Sequence, residues 1–295
     1  MSGRVADKVA IVTGGAVGIG AATSRILARE GARVVIADLD TMSGEELSRQ
    51  IRNHGHHAIF IRHDVALEES WQLTISRAVA EYGGLDVLVN NAAIGFPNGS
   101  VEEQTLEQWR SVMSVNLDGV FLGTKAAIAA MRKTGRGGSI INISSILGIV
   151  GSPATAAYVA SKGGVRLLSK SAALHCAKSG YAIRVNSIHP GWIETPLMDK
   201  SVRARGGDPQ AQRATGRRAE ASEYDGVAIG GYINGQDAVN FPATEETTVW
   251  FTRILNIIQV SASRSKIIVV RGPEDAVSAI ERVLGISSVS LRHGT

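Results

Sequence analysis

The chain has 295 residues, 44% of them hydrophobic, and 31 basic against 27 acidic side chains give a net charge of +4. That apolar share excludes a chain disordered throughout, and the length suits one α/β domain carrying an extension. The basic residues are scattered, which argues against a nucleic-acid partner; Arg203, Arg205, Arg213, Arg217 and Arg218 share one polar stretch that reads as solvated loop.

Lys8 to Thr13 is predicted as the first strand, followed by a helix from Gly18 to Glu30. A second strand, Arg33 to Ala37, leads into a helix through Glu45 to Asn53. Ala58 to Arg62 is the third strand, with a helix from Leu67 to Tyr82, and Leu85 to Val89 is the fourth. Helical pattern then runs from Leu106 to Met131, broken near Asn116. Ser139 to Ile143 makes a fifth strand, Ala156 to Lys178 a helix, and Ile183 to Ile188 a sixth strand. Strands this apolar on both faces, alternating with helices, predict a doubly wound parallel sheet of Rossmann type. Ligands of such sheets bind at the carboxyl ends of the strands, where the motifs below fall.

The texture changes after Pro196. Residues 1–198 read as a dinucleotide-binding and catalytic domain, 199–243 as a polar loop or flap, and 244–295 as an atypical C-terminal region. Its helix pattern, Glu245 to Val260, and strand pattern, Ile267 to Val270, come in the order needed to cover one sheet face and add an edge. Glu245 to Gly272 is therefore expected to complete the sheet, with an appended, poorly ordered tail as the alternative.

The first strand runs into Thr13-Gly14-Gly15-Ala16-Val17-Gly18-Ile19-Gly20. Glycines there let the backbone turn tightly and approach a pyrophosphate, which a helix N-terminus attracts. The spacing is G-x-x-x-G-x-G, and alone it also fits a plain strand-to-helix connection. Asp38, 18 residues after Gly20, ends the second strand. A carboxylate there accepts both adenosine-ribose hydroxyls and repels a 2′-phosphate, so NAD is expected over NADP. Asp64 at the end of the third strand and Asn90-Asn91-Ala92-Ala93 at the end of the fourth are further candidates for adenine and ribose contacts. Each also fits a turn former.

Tyr158 and Lys162 are four residues apart in a predicted helix and share a face. An ammonium beside a phenol stabilises the phenolate and is expected to lower the Tyr158 pKa, which suits a general acid/base. Ser145, at the end of the fifth strand, is placed to hydrogen-bond a substrate oxygen. Taken singly, a Tyr and a Lys one turn apart are more often a solvated pair.

TGGAVGIG, Asp38, NNAA, Asn116, Ser145 and YVASK, in this order, resemble the short-chain dehydrogenase/reductase family over residues 6 to about 198. The resemblance implies an oxidoreductase that moves a hydride between NAD(H) and a secondary alcohol or ketone, with Asn116, Ser145, Tyr158 and Lys162 as its catalytic set. It implies that Asn116 holds a water in a proton relay and that Lys162 also holds the nicotinamide ribose. It further implies cofactor contacts from Gly14, Val17, Gly18, Ile19, Asp38, Asp64, Val65, Asn90 and Ala92. His189-Pro190-Gly191, Ile193 and Thr195 would reach the nicotinamide carboxamide, with His189 itself read as structural. Ala93 departs from the Gly usual in the family.

RHDVALEESW and GYAIRVNSIHP look most like bacterial 3β/17β-hydroxysteroid dehydrogenases, which suggests a bulky apolar alcohol, steroid or cyclic. Ser145, Leu147, Tyr158 and Trp192 are the expected pocket residues, with Ile146, Leu197 and Met198 nearby. Competing expectations are an NADPH-dependent ketoreductase, a non-catalytic nucleotide-binding protein, and a protein impaired by its atypical C-terminal third. A homo-oligomer, dimer or tetramer, is expected. Cys176 is the only cysteine, which excludes an intramolecular disulfide and fits a cytoplasmic protein. The apolar runs read as too interrupted for a membrane span, the N-terminus lacks a signal-peptide pattern, and no His/Cys/Asp cluster has metal spacing.

Overall fold

The computed structural model describes residues 3–95, 99–191, 193–204, 207–208 and 219–220. Six strands form one parallel sheet: β1 (Val9–Thr13), β2 (Arg33–Asp38), β3 (His57–Arg62), β4 (Val87–Asn90), β5 (Gly138–Ile143) and β6 (Ile183–Ile188). Their order is β3-β2-β1-β4-β5-β6. The order reverses between β1 and β4, which opens a crevice there at the carboxyl ends of the strands.

The period-2 alternation of the strands divides the core between the two faces. Ala10, Val12, Val34, Ile36, Val87 and Val89 pack on one face against α1 (Gly18–Arg29) and α2 (Thr41–Asn53), through Ile26, Leu27, Leu47 and Ile51. Ile11, Val35, Ala37, Leu88 and Ile140 pack on the other, beneath α3 (Glu68–Tyr82), α5 (Gly119–Thr134) and α6 (Ala156–Lys178). Ile11, Ile36, Leu88 and Ile140 are each wholly buried, which stabilises by roughly 1.5–3 kcal/mol per side chain.

The break expected near Asn116 is a π-helical turn, Ser114–Asp118, between α4 (Leu106–Met113) and α5. Such turns insert a residue into the helical ladder and redirect side chains. By length and composition alone, the continuous helical run Leu106–Thr134 is long and apolar enough to cross a membrane, where the sequence predicts runs too interrupted for a span. Val120, Ala127 and Met131 of this run are buried, and Ala127 and Met131 belong to the core under the sheet, the packing of a core helix.

The expected ends of the third and fifth strands hold, while two site residues expected at those ends fall just past them. β3 stops at Arg62 and β5 at Ile143, so Asp64 and Ser145 each lie two residues beyond, in the turns that follow. Ser145 caps a single 3₁₀ turn, Ile146–Gly148, by accepting from Leu147 N–H at 3.1 Å. A short strand β7 (Ile193–Glu194) and helix α7 (Pro196–Ala204) follow β6. The polar stretch expected as loop from residue 199 thus begins inside α7. β7 pairs in parallel with β8 (Ala219–Glu220). The expected helix Glu245 to Val260 and strand Ile267 to Val270 lie outside the described residues.

Candidate active site

The glycine turn is fixed by close approach. Gly14 and Gly18 hold φ of +56° and +54°, backbone that a side chain strains. A Cβ on Gly20 would lie 1.9 Å from the Gly14 carbonyl oxygen, so the first turn of α1 packs directly on the preceding loop. Val17 caps α1 without a side-chain bond, leaving the first N–H groups of the helix open to an anion.

Two clamps hold that turn against the neighbouring strand ends. The Thr13 hydroxyl accepts from Asn91 N–H (3.0 Å) and Ala92 N–H (3.1 Å), while Asn91 Nδ2 donates to the Thr13 and Gly14 carbonyls, both at 3.0 Å. Asp38 Oδ2 accepts from Ala16 N–H at 3.0 Å, and its Oδ1 from Asp40 N–H at 3.1 Å. The carboxylate is thereby anchored, half-buried, beside the glycine turn.

At the other end of the crevice, Lys162 is 2% exposed and its Nζ donates to the Ile143 carbonyl at 2.8 Å. Nζ lies 5.8 Å from the centre of the Tyr158 ring. Burial pushes the Lys162 pKa down from 10.5 to about 8. Burial also raises the Tyr158 phenol, and a hydrogen bond with Ser145 opposes the rise. The expected lowering of Tyr158 by Lys162 is therefore overridden in the protein by desolvation, since the ammonium is turned to the Ile143 carbonyl. Because Ser145 Oγ already accepts from Leu147 N–H, its own proton is free to go to the Tyr158 oxygen.

His189 is buried and structural in its contacts: Nδ1 meets the Ser145 carbonyl at 3.1 Å and Nε2 the Ser187 hydroxyl at 3.0 Å. The carbonyl only accepts, which puts the ring proton on Nδ1 and ties the end of β6 to the Ser145 turn.

Both ends open into one cleft of about 1300 Å³, its mouth included. Gly14, Val17, Gly18 and Ile19 line it, as do Asp38, Asp64 and Val65. Ala92, Ser145, Tyr158 and Lys162 line it too, with Pro190, Gly191, Ile193 and Thr195. Four expected residues are not in that lining. Asn90 gives its amide to Asn142 Oδ1 at 2.8 Å, inside the sheet. Asn116 is wholly buried and exchanges two bonds with the Ile94 backbone, at 2.9 and 3.1 Å, so its side chain braces the wall loop rather than facing the cleft. Leu147 and Ile146 are half-buried away from it, whereas Leu197 and Met198 do line it. Trp192 lies outside the described residues.

The short chain dehydrogenase family profile matches residues 8–206. The chain belongs to that family. It is similar, at 48% identity over 200 residues (68% of this chain and 78% of the relative), to an NADP-dependent (R)-specific alcohol dehydrogenase of Lentilactobacillus kefiri. Similarity to a trans-4-hydroxycyclohexanecarboxylate dehydrogenase of Sinomonas cyclohexanicum is 46% over 235 residues, covering 78% of this chain and 87% of that one. A 3-beta-hydroxysteroid dehydrogenase of Comamonas testosteroni shares 43% over 202 residues, 68% and 77% of the two chains.

As a short-chain dehydrogenase, the protein is an oxidoreductase of alcohols and ketones with a Rossmann-type core. Its cleft fits a nicotinamide dinucleotide: contacts forbid a Cβ at Gly14 and Gly20 in the glycine turn, the helix N-terminus after it is open, and the Asp38 carboxylate is hydrogen-bonded to the same turn. The sequence reading missed several lining residues of this dehydrogenase, among them His63, Ile94, Val115 and Ser201. Ile94 follows NNAA directly and Ser201 is one turn past Leu197, so adjacency to the motifs signalled both. His63 directly precedes Asp64 within RHDVALEESW and carried the same signal.

Proposed function

We propose that this dehydrogenase moves a hydride between NAD(H) and a secondary alcohol or ketone, with Tyr158 as the acid/base. The observation that carries the reading is the Ser145–Tyr158 hydrogen bond at one end of a cleft whose other end presents Asp38. Nicotinamide supplies the hydride acceptor or donor. In oxidation the alcohol proton passes to the Tyr158 oxygen as the carbinol C–H bond breaks, leaving the ketone; in reduction Tyr158 returns that proton to the ketone oxygen. With substrate present, Ser145 turns its one proton from the Tyr158 oxygen to the substrate oxygen, and Lys162 both supplies positive charge near the phenolate and binds the nicotinamide ribose. Asn116 serves by fixing the Ile94 loop. Gly14, Val17, Gly18 and Ile19 receive the pyrophosphate, Asp38 the adenosine ribose, and Asp64, Val65 and Ala92 the adenosine end. Pro190, Gly191, Ile193 and Thr195 face the carboxamide.

Asp38 supports NAD, since no basic residue follows it and a 2′-phosphate would meet an anchored carboxylate. The second reading, an NADPH-dependent reductase, draws support from the 48% identical relative described as NADP-dependent. Relatives described as acting on a hydroxycyclohexane acid and on hydroxysteroids, with Ile94, Val115, Leu197 and Met198 in the cleft, favour a bulky cyclic alcohol.

A homo-oligomer, dimer or tetramer, fits the exposed Trp109 and Phe121 on α4 and α5 and Leu167 and Leu174 on α6. The buried free thiol of Cys176 accords with a cytoplasmic enzyme. The deciding experiment is a panel of steroid, cyclic and open-chain secondary alcohols with each coenzyme, followed by reduced-nicotinamide absorbance. No turnover across the panel with either coenzyme overturns the proposal.

A further inference from the structure

His63 follows β3 and lines the cleft, yet the proposed chemistry gives it no part. It is 2% exposed, beside Asp64 and Val65, the pair assigned above to the adenosine end. Its ring is held from one side. Nδ1 lies 2.9 Å from both the Ser70 and the Thr74 hydroxyls on α3, and the ring packs edge-on against Trp71 with centroids 4.5 Å apart. Nε2 is buried and meets no hydrogen-bond partner among the described residues.

The same α3 groups hold the two residues that follow. Ser70 Oγ accepts from Asp64 N–H at 3.0 Å, and Trp71 Nε1 donates to the Val65 carbonyl at 2.9 Å. Since Ser70 Oγ receives the Asp64 N–H, its own proton is free for His63 Nδ1, and the chain Asp64 N–H to Ser70 O–H to His63 Nδ1 polarises each bond along it. This arrangement requires the ring proton on Nε2, with Nδ1 as the acceptor. A histidine with one nitrogen buried and unbonded carries a desolvation cost that an apolar side chain of the same shape would not. Packing alone does not account for it; orienting Ser70 does.

We propose that His63 is a positioning residue for the adenosine half of the cofactor: through Ser70 and Trp71 it fixes the Asp64–Val65 backbone that the adenine meets, and it takes no part in hydride or proton transfer. This rests on the proposed dinucleotide reading of the cleft. ADP-ribose, which has the adenosine half and lacks nicotinamide, is the probe that separates the two.

His63→Phe keeps a ring against Trp71 and removes the Nδ1 acceptor. Its Kd for ADP-ribose and for NAD, read by calorimetry, should rise together by about tenfold, the loss of one hydrogen-bonded anchor, while kcat at saturating NAD stays within about twofold. His63→Asn restores an acceptor near the Nδ1 position and should recover most of the ADP-ribose affinity. Histidine labelled with ¹⁵N should show the His63 Nδ1 unprotonated and Nε2 protonated. If His63→Phe does not fold, Ser70→Ala, which deletes only the bridging hydroxyl, should give the same split. An unchanged ADP-ribose Kd in the variant that folds, or a fall in kcat with affinity intact, overturns the inference alone. A wild-type protein that binds neither ADP-ribose nor NAD overturns it together with the dinucleotide reading.

Discussion

The backbone N–H of Ala16 donates to Oδ2 of Asp38 across 3.0 Å, joining the glycine turn to the end of β2. The bond both tightens the turn and keeps the carboxylate from swinging aside. A 2′-phosphate entering there meets a fixed like charge at close range, a repulsion of several kcal/mol by order of magnitude in partly desolvated surroundings. Catalytic efficiency with NAD should exceed that with NADP by at least about tenfold. Asp38→Ser should narrow the gap, and steady-state kinetics with both coenzymes measure it. Equal efficiencies in the wild type would contradict the assignment of Asp38.

Tyr158→Phe removes only the hydroxyl that Ser145 reaches. Turnover should fall by at least about 10²-fold, the lower end for a lost general acid, with NAD affinity retained. Lys162→Met should lower both turnover and NAD affinity, because its buried ammonium is assigned both tasks. Single-turnover rates and coenzyme titrations of the two variants separate these effects; a Tyr158→Phe enzyme with normal turnover removes Tyr158 from the mechanism.

Much of this was legible in the chain. The strands were plain because both their faces are buried, which writes uninterrupted runs such as Arg33-Val-Val-Ile-Ala37. Ser145, Tyr158 and Lys162 were plain because each sits at a strand end or on one helix face. Side-chain direction was not. Asn90 turns to Asn142, 52 residues later, and Asn116 to Ile94, 22 residues earlier. Such partners are set by tertiary packing, so a motif letter gives the place and not the aim. From residue 199 onward α7 reads as loop in the sequence because its polar residues, Asp199, Lys200 and Arg203, hide a stripe ending in the buried Val202. The direction of the Tyr158 shift was missed for a related reason: burial of the phenol is invisible in a four-residue spacing.

Gly20→Ala offers a test of the glycine turn. Within an ordinary helix this change stabilises by up to about 1 kcal/mol. Here the added methyl would meet the Gly14 carbonyl oxygen at 1.9 Å and the Asn91 amide nitrogen at 2.7 Å. The clamp from Asn91 to Gly14 must then open. The variant should lose several degrees in Tm and at least about tenfold in NAD affinity, by calorimetry and coenzyme titration. A gain in stability would show that the turn has room.

His63 also sets a pH dependence of stability. Burial pushes its pKa from 6.5 down to about 4. Between those values the unfolded chain binds a proton that the folded protein refuses, so unfolding takes up protons and stability rises with pH through the window. Above pH 6.5 both states are neutral and the full stability is present; it drains away as pH falls from 6.5 towards 4. The difference amounts to at most about 3 kcal/mol. His189, also lowered by burial, adds slope of the same sign, so the informative comparison is wild type against His63→Phe. Thermal unfolding of the two at intervals from pH 4 to 7 should show a shallower acid decline in the variant, whatever its stability at pH 7. Parallel declines would mean that His63 takes its proton in the folded protein as readily as in the unfolded one.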